Sequence, residues 1–441
     1  MAVGRVQVVA HGRQGMRTVF HGYRVSRILS VIILHLVARC VGALLSIDRS
    51  PRAFQYVPAC CLTQPPCYNF NDKNQAEGEP VTTTDPCRHS NRSTAIVQGE
   101  QMETRTILIT GANGEIGHGL ISHFAEHDGV RVVALDLNTL DDSSKSKCYK
   151  TYTGDILDNR FLESLSTAHD FDVIYHLAAL LSTRAERQPT IAHKVNVDGT
   201  LNLLETAITQ SRLQGKEVKM IYPSSIAVYG LPDARAKETA DRLGEDECTE
   251  PRTMYGINKL YCERLGKYYM NYYRQLDAQP VGGKVDFRCV RFPGLISAVT
   301  LPTGGTSDFA PEMLHQAAKG EPYDCFVRED TRIPFMAMPD GVKALLLLEA
   351  APKKNLSTQI YNVGSFNPSA GELKRKVKKA FPDAVINFKP DLKRQTILDS
   401  WPADVDDSRA RKDWAWKPEY DFERAFEEYL VPAVSQFYKK K

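Results

Sequence analysis

Thr110-Gly111-Ala112-Asn113-Gly114-Glu115-Ile116-Gly117 follows a short apolar run, Arg105 to Thr110, and leads into an amphipathic segment, Ile116 to His127. Read as strand, turn and helix, each glycine has work of its own. Gly111 permits the tight turn, Gly114 lets backbone approach a pyrophosphate, and Gly117 permits close helix packing, so that phosphate meets the helix N-terminus. Glycine turns are common, and the spacing alone is weak. Its weight comes from the flanking strand and helix and from Asp136, which closes the next apolar run, Arg131 to Asp136. A carboxylate there receives adenosine ribose hydroxyls and repels a 2′-phosphate, so NAD is expected rather than NADP.

Working outward, Asp172 to Leu177, Val218 to Ser224 and Asp286 to Phe292 are nearly continuous apolar runs. Such runs suit strands of a parallel sheet covered on both faces. Segments Ile191 to Thr209 and Tyr255 to Tyr273 supply crossover helices. The expected fold is therefore α/β, a Rossmann-type doubly wound parallel sheet over 102–295. Beyond about residue 293 the elements shorten, as in a smaller substrate-binding lobe over 296–441 that returns some elements to the sheet. Helices are expected over Phe309 to Lys319, Asp340 to Glu349 and Ala370 to Phe381, the last opened by a capping box, Ser369 with Glu372. The expected dinucleotide contacts are Gly111, Asn113, Gly114, Glu115, Ile116, Gly117, Asp136 and Asn138. Asp155 and Ile156 after another strand, Leu177, Ala178 and Ala179 after the fourth, and Asn196 extend the set. Asp155 and the alanines are equally readable as a helix cap and as small packing residues.

Tyr255-Gly256-Ile257-Asn258-Lys259 sets Tyr and Lys on one helical face. A neighbouring ammonium, joined by a cationic nicotinamide, stabilises a phenolate that can remove a hydroxyl proton as hydride leaves carbon. The same spacing makes ordinary surface pairs. What favours chemistry is Ser224-Ser225 at the end of a long apolar strand, since strand ends on one sheet edge converge on a bound dinucleotide. Tyr255, Lys259 and Ser225 are the expected catalytic residues, with Lys259 also holding the nicotinamide ribose. Ser224 is a helper or a turn hydroxyl.

Lys+Arg 56 against Asp+Glu 53 leaves a net charge of +3 and no aromatic-interleaved basic stripe, so nucleic acid is not an expected partner. The ten cysteines lack zinc-site spacing, and no metal site is expected. Those from Cys148 onward sit singly, as reduced thiols of an intracellular protein would. From Met1 to Ile47 there is no Asp or Glu, and Arg5, Arg13, Arg17, Arg24, Arg27 and Arg39 carry the charge. This is the composition of an organellar transit peptide. Arg39 splits the apolar run Ile28 to Ile47, so a stable membrane span is not expected. Residues 48–101 are turn-prone and read as a disordered linker. The tail is either a presequence, which makes the mitochondrial matrix the expected location, or a stretch upstream of a start at Met102, which leaves a cytoplasmic protein.

Taken together, the glycine turn, Asp136, the Ser225 segment and Tyr255-x-x-x-Lys259 resemble the extended short-chain dehydrogenase/reductase superfamily across essentially all of 102–441. More narrowly, the chain is similar to the epimerase-like L-threonine 3-dehydrogenase family through Arg291 to Ser297, Gly304 to Ala310, Pro322 to Arg328, Asp330-Thr331-Arg332, Pro334 to Pro339 and Asp399-Ser400-Trp401-Pro402. That resemblance implies oxidation of the C3 hydroxyl of L-threonine to L-2-amino-3-oxobutanoate with NAD⁺, and a homodimer. It also implies that Ser182, Ser224, Ser225, Tyr255, Thr306 and Trp401 lie near the substrate. Two other functions use the same platform: a nucleotide-sugar epimerase or dehydratase, and a nonenzymatic NAD-binding interaction protein.

Overall fold

Strands β1 (Arg105–Thr110), β2 (Val130–Asp136), β3 (Lys150–Thr153), β4 (Val173–His176), β5 (Val218–Ser225) and β6 (Val285–Phe292) lie in one sheet in a computed structural model of the chain. The structure describes residues 104–279, 282–302 and 304–439, so the expectations for 1–101 fall outside it. The short strands β7 (Gly294–Ile296), β8 (Tyr323–Cys325) and β9 (Phe335–Ala337) follow, then β10 (Ile360–Asn362). The large sheet has the order β10-β6-β5-β4-β1-β2-β3 with every pairing parallel. The order reverses between β1 and β4, where an open α/β sheet leaves its ligand crevice.

Alternate residues of each strand feed opposite faces. Ile107 and Ile109 of β1 join one buried cluster with Val132 and Ala134, whereas Leu108 joins another with Val133 and Leu135. The crossovers include α1 (Glu115–Phe124), α2 (Ser182–Arg187), α3 (Gly199–Gln214) and α4 (Met254–Asn271), together with the helix Asn159–Ala168 between β3 and β4, and are followed by α5 (Phe309–Lys319), α6 (Met338–Ala350), α7 (Ala370–Ala380) and α8 (Leu392–Asp399). The helix expected from Ile191 is interrupted: Pro189–His193 is α-helical, Lys194–Asp198 is a π turn, and α3 begins at Gly199. The Thr200 hydroxyl donates to the Asn196 carbonyl at 2.6 Å, taking the acceptor that a regular helix gives to a backbone N–H. α6 starts earlier than expected because Pro339 occupies its first turn, where the missing N–H costs nothing. Both capping-box bonds of Ser369 and Glu372 form at the start of α7.

Two elements beyond residue 296 return to the sheet. β10 pairs with β6, and Val342 of α6 packs so closely on Gly119 of α1 that a Cβ there would lie 2.6 Å from it. Among the described residues no helix is long and apolar enough to cross a membrane.

Candidate active site

The turn after β1 is built around absent side chains. Gly111 has φ +68°, and a Cβ on it would stand 2.6 Å from the Ala178 nitrogen. A Cβ on Gly117 would stand 2.4 Å from the Ala112 carbonyl. Around Gly114 a Cβ would meet only the Gly111 carbonyl, at 3.2 Å, which leaves the mouth of the turn open to a phosphate at the start of α1. Asp136 holds this turn: one carboxylate oxygen accepts the Asn113 N–H at 3.0 Å and the other the Asn138 N–H at 2.9 Å. Turn, helix start and strand-end carboxylate fit an NAD molecule. Gly117→Val should lose NAD binding in a fluorescence titration and cost about 1–3 kcal/mol of stability from overpacking. Wild-type affinity in that variant would mean the helix does not have to sit this close.

The remaining expected contacts divide into exposed and buried sets. Ala178 and Ala179 are half-buried beyond β4, and Leu177 is held by its N–H to the Thr110 carbonyl at 3.0 Å. Asp155 is exposed and accepts the Leu157 N–H at 2.9 Å; the Ile156 side chain is buried in the core, and its carbonyl accepts the Asn202 amide at 3.0 Å. Ile116 packs partly against the core and offers a first-turn N–H, and the Glu115 carboxyl is engaged by Ser297. Asn196 is buried: its amide oxygen accepts the Leu180 N–H at 2.7 Å, and its amide nitrogen donates to the Leu180 carbonyl at 3.0 Å and to Asn258 Oδ1 at 3.4 Å, which fixes the strand-end loop. His176 bridges Thr110 at 3.0 Å and Thr200 at 2.9 Å. Because Thr200 spends its proton on Asn196, His176 is assigned the tautomer with Nε2 protonated. Burial, aided by Lys259, pushes it down to about 3, so it is a neutral strut at physiological pH.

Tyr255 and Lys259 lie in the first two turns of α4. The Thr253 hydroxyl accepts the Gly256 N–H at 3.1 Å and fixes where the helix begins. Gly256 then packs against the turn that follows Ser225: a Cβ on it would lie 2.0 Å from the Ala227 carbonyl. This glycine presses the Tyr255 turn onto the end of β5. Ser225 Oγ accepts the Ala227 N–H at 3.2 Å, leaving its proton free to donate. Lys259 Nζ donates to the Pro223 carbonyl at 2.6 Å and stands 5.6 Å from the centre of the Tyr255 ring. Burial lowers the ammonium to about 8 and pushes the Tyr255 phenol up. Alone, then, the site holds Tyr255 neutral, and Lys259 does not by itself make the phenolate.

Ser224 is buried and donates to Glu263 Oε1 at 2.6 Å. Glu263 extends the Tyr255, Lys259 face by one more turn and pairs with Arg291 through Nε at 2.8 Å and Nη2 at 2.7 Å. Arg291 continues to the Tyr229 hydroxyl at 3.0 Å and the Glu245 carbonyl at 2.7 Å. This fully buried pair was legible as the next position on the same helical face, but nothing in the sequence assigned its partner.

The distal segments meet above the sheet edge. Ser182 Oγ accepts the Thr306 N–H at 3.4 Å, and Thr183 donates to the Gly304 carbonyl at 2.7 Å. Arg394 of α8 reaches the Gly305 carbonyl and lies over the Phe326 ring. Arg328 grips Asp399 with two bonds of 2.9 Å, anchoring the loop that carries Trp401. Trp401 belongs to the same buried apolar cluster as Phe309 and the turn Ile226–Val228 after Ser225, and Tyr255 packs against that cluster. Among the described residues no group of three His, Cys, Asp or Glu is placed to hold a metal.

Comparison with known proteins agrees with this geometry. L-threonine 3-dehydrogenase, mitochondrial, from Bos taurus is 34% identical over 334 residues, spanning 75% of this chain and 82% of that protein. A monomeric L-threonine 3-dehydrogenase from a metagenome, solved in its apo form, superposes with a TM-score of 0.65 at 35% identity, covering 75% of this chain and 99% of that one. The holo form of an L-threonine dehydrogenase from Cupriavidus necator gives 0.63 at 33% identity, covering 75% of this chain and 99% of its own. Residues 107–364 match the NAD dependent epimerase/dehydratase family. With its seven-stranded parallel sheet, its glycine turn and its Tyr-Lys helix, the chain belongs to that family.

Proposed function

We propose that this protein oxidises the C3 hydroxyl of L-threonine to L-2-amino-3-oxobutanoate with NAD⁺. The observation that carries the reading is the packing of the Tyr255 turn onto the Ser225 turn through Gly256, one turn from Lys259. The relatives named as threonine dehydrogenases support the substrate. When bound, NAD⁺ supplies the hydride acceptor and a positive charge that adds to Lys259. To act as base Tyr255 must first give up its own proton to solvent, a loss that the two cations together would favour; its phenolate oxygen would then take the hydroxyl proton. Ser225 donates its free proton to the substrate oxygen and holds that oxygen toward Tyr255. Lys259 keeps one N–H on Pro223 and has others for a ribose hydroxyl. The Ser182 hydroxyl, whose proton is not spent on Thr306, suits a substrate carboxylate, and Trp401 suits a small methyl group. Asp136 at the turn disfavours a 2′-phosphate, so NADP should serve poorly.

Purified protein given NAD⁺ and L-threonine should form NADH, followed by its absorbance. A folded, NAD-binding protein with no threonine-dependent signal would reject the reading. Conversion of a UDP-sugar without net NADH would replace it by an epimerase, and NAD binding with neither activity by an interaction protein. The arginine-rich, acid-free start and the mitochondrial Bos taurus relative support a mitochondrial protein with a removable leader. Mass spectrometry of the native N-terminus should find it beyond Ile47; protein retaining Met1 inside mitochondria would contradict removal.

A further inference from the structure

The turn that receives the dinucleotide is tied to the substrate lobe by one side chain. Glu115 is the first residue of α1, and its carboxyl is hydrogen-bonded by the Ser297 hydroxyl, beyond β7. The same Ser297 Oγ accepts the N–H groups of Val299 at 3.1 Å and Thr300 at 3.0 Å, and the Ala298 N–H donates to Tyr429 at 3.3 Å. The segment then runs on to Gly304 and Thr306, which Thr183 and Ser182 hold. Glu115 therefore stands at the junction of two sites.

Its location sets up a conflict of charge. The positive end of a helix dipole favours a carboxylate there, and the same end favours dinucleotide phosphate. With both present the two anions repel across a half-buried site, and burial already raises the Glu115 carboxyl above its usual range. The titratable groups facing it are His118 from α1 and Tyr429 from the C-terminal helical segment, while 297–300 contributes the hydroxyls of Ser297 and Thr300.

We propose that Glu115 is a positioning residue that takes a proton from solvent when dinucleotide phosphate binds, and in neutral form keeps Ser297, and so the approach to Thr306, in register with the occupied turn. This rests on the dinucleotide half of the reading above and not on the identity of the substrate. The test is calorimetry of NAD binding to the full chain in buffers of different ionisation enthalpy. Wild type should take up protons, and its Kd should tighten by up to about tenfold per pH unit as pH falls. Glu115→Gln, which keeps the shape and the Ser297 contact, should bind NAD at least as well with no uptake and a flat pH profile. Ser297→Ala should raise the KM for L-threonine with the NAD Kd unchanged. Equal proton uptake in wild type and Glu115→Gln would overturn the proposal by assigning the proton to His118 or another group. No uptake in wild type that binds NAD would also overturn it. Wild type that does not bind NAD at all would overturn both this inference and the dinucleotide reading, whereas lack of threonine oxidation alone would leave the proton measurement intact.

Discussion

Tyr255→Phe should bind NAD as wild type does and lose turnover, kcat falling by about 10²–10⁴. The ring keeps its packing against the apolar cluster that includes Trp401, so only the proton-accepting oxygen disappears. The site makes this a demanding test. Burial holds the phenol neutral in the resting protein, and the nearest cation, Lys259, is itself lowered by burial to about 8. Base strength must come from charges assembled around that oxygen, and His176, a neutral strut between two threonines, offers no replacement. Stopped-flow and steady-state measurement of NADH formation decide it. Turnover within a factor of about 10 of wild type would mean that the proton leaves by another route.

Glu263→Leu should destabilise the fold by about 3–5 kcal/mol, because it strands the Arg291 guanidinium in the core with its carboxylate gone. Arg291 and Glu263 are 1% and 0% exposed as side chains, so water cannot take the place of the lost partner. The double variant Glu263→Leu/Arg291→Met should recover part of this. It removes the stranded charge but leaves Ser224, Tyr229 and the Glu245 carbonyl each short of a bond. Urea unfolding of wild type and the two variants reads both costs. A single-variant cost of about 1 kcal/mol or less would show that the pair is hydrated in solution.

Much of this was readable in the chain itself. β1 was expected at Arg105 to Thr110 and α5 at Phe309 to Lys319, and both are found there. Strong local patterns explain this: continuous apolar runs, a glycine turn between them, and a capping box. What escaped reading depends on partners far away in sequence. β10 is three residues long and has no pattern of its own; it is a strand because β6 offers it an edge. Nothing around Asn196 in the sequence announces its partner, the Leu180 backbone, which its amide both accepts from and donates to. Of the two serines ending β5, alternation says that one must turn inward, but not which. Glu263 decides it.

The return of β10 to the far side of β6 also bears on how this chain can be divided. An expected boundary near residue 295 would cut the NAD-binding half from a strand that caps its sheet and from Trp414 and Trp416, which complete the cluster beneath β1. A fragment ending there would expose an unpaired backbone row beside bare aromatic surface, the conditions under which chains stick edge to edge. The segments on either side of residue 295 are thus interdependent in folding, and an exchange of the C-terminal segment between relatives would have to carry that last strand and its tryptophans along.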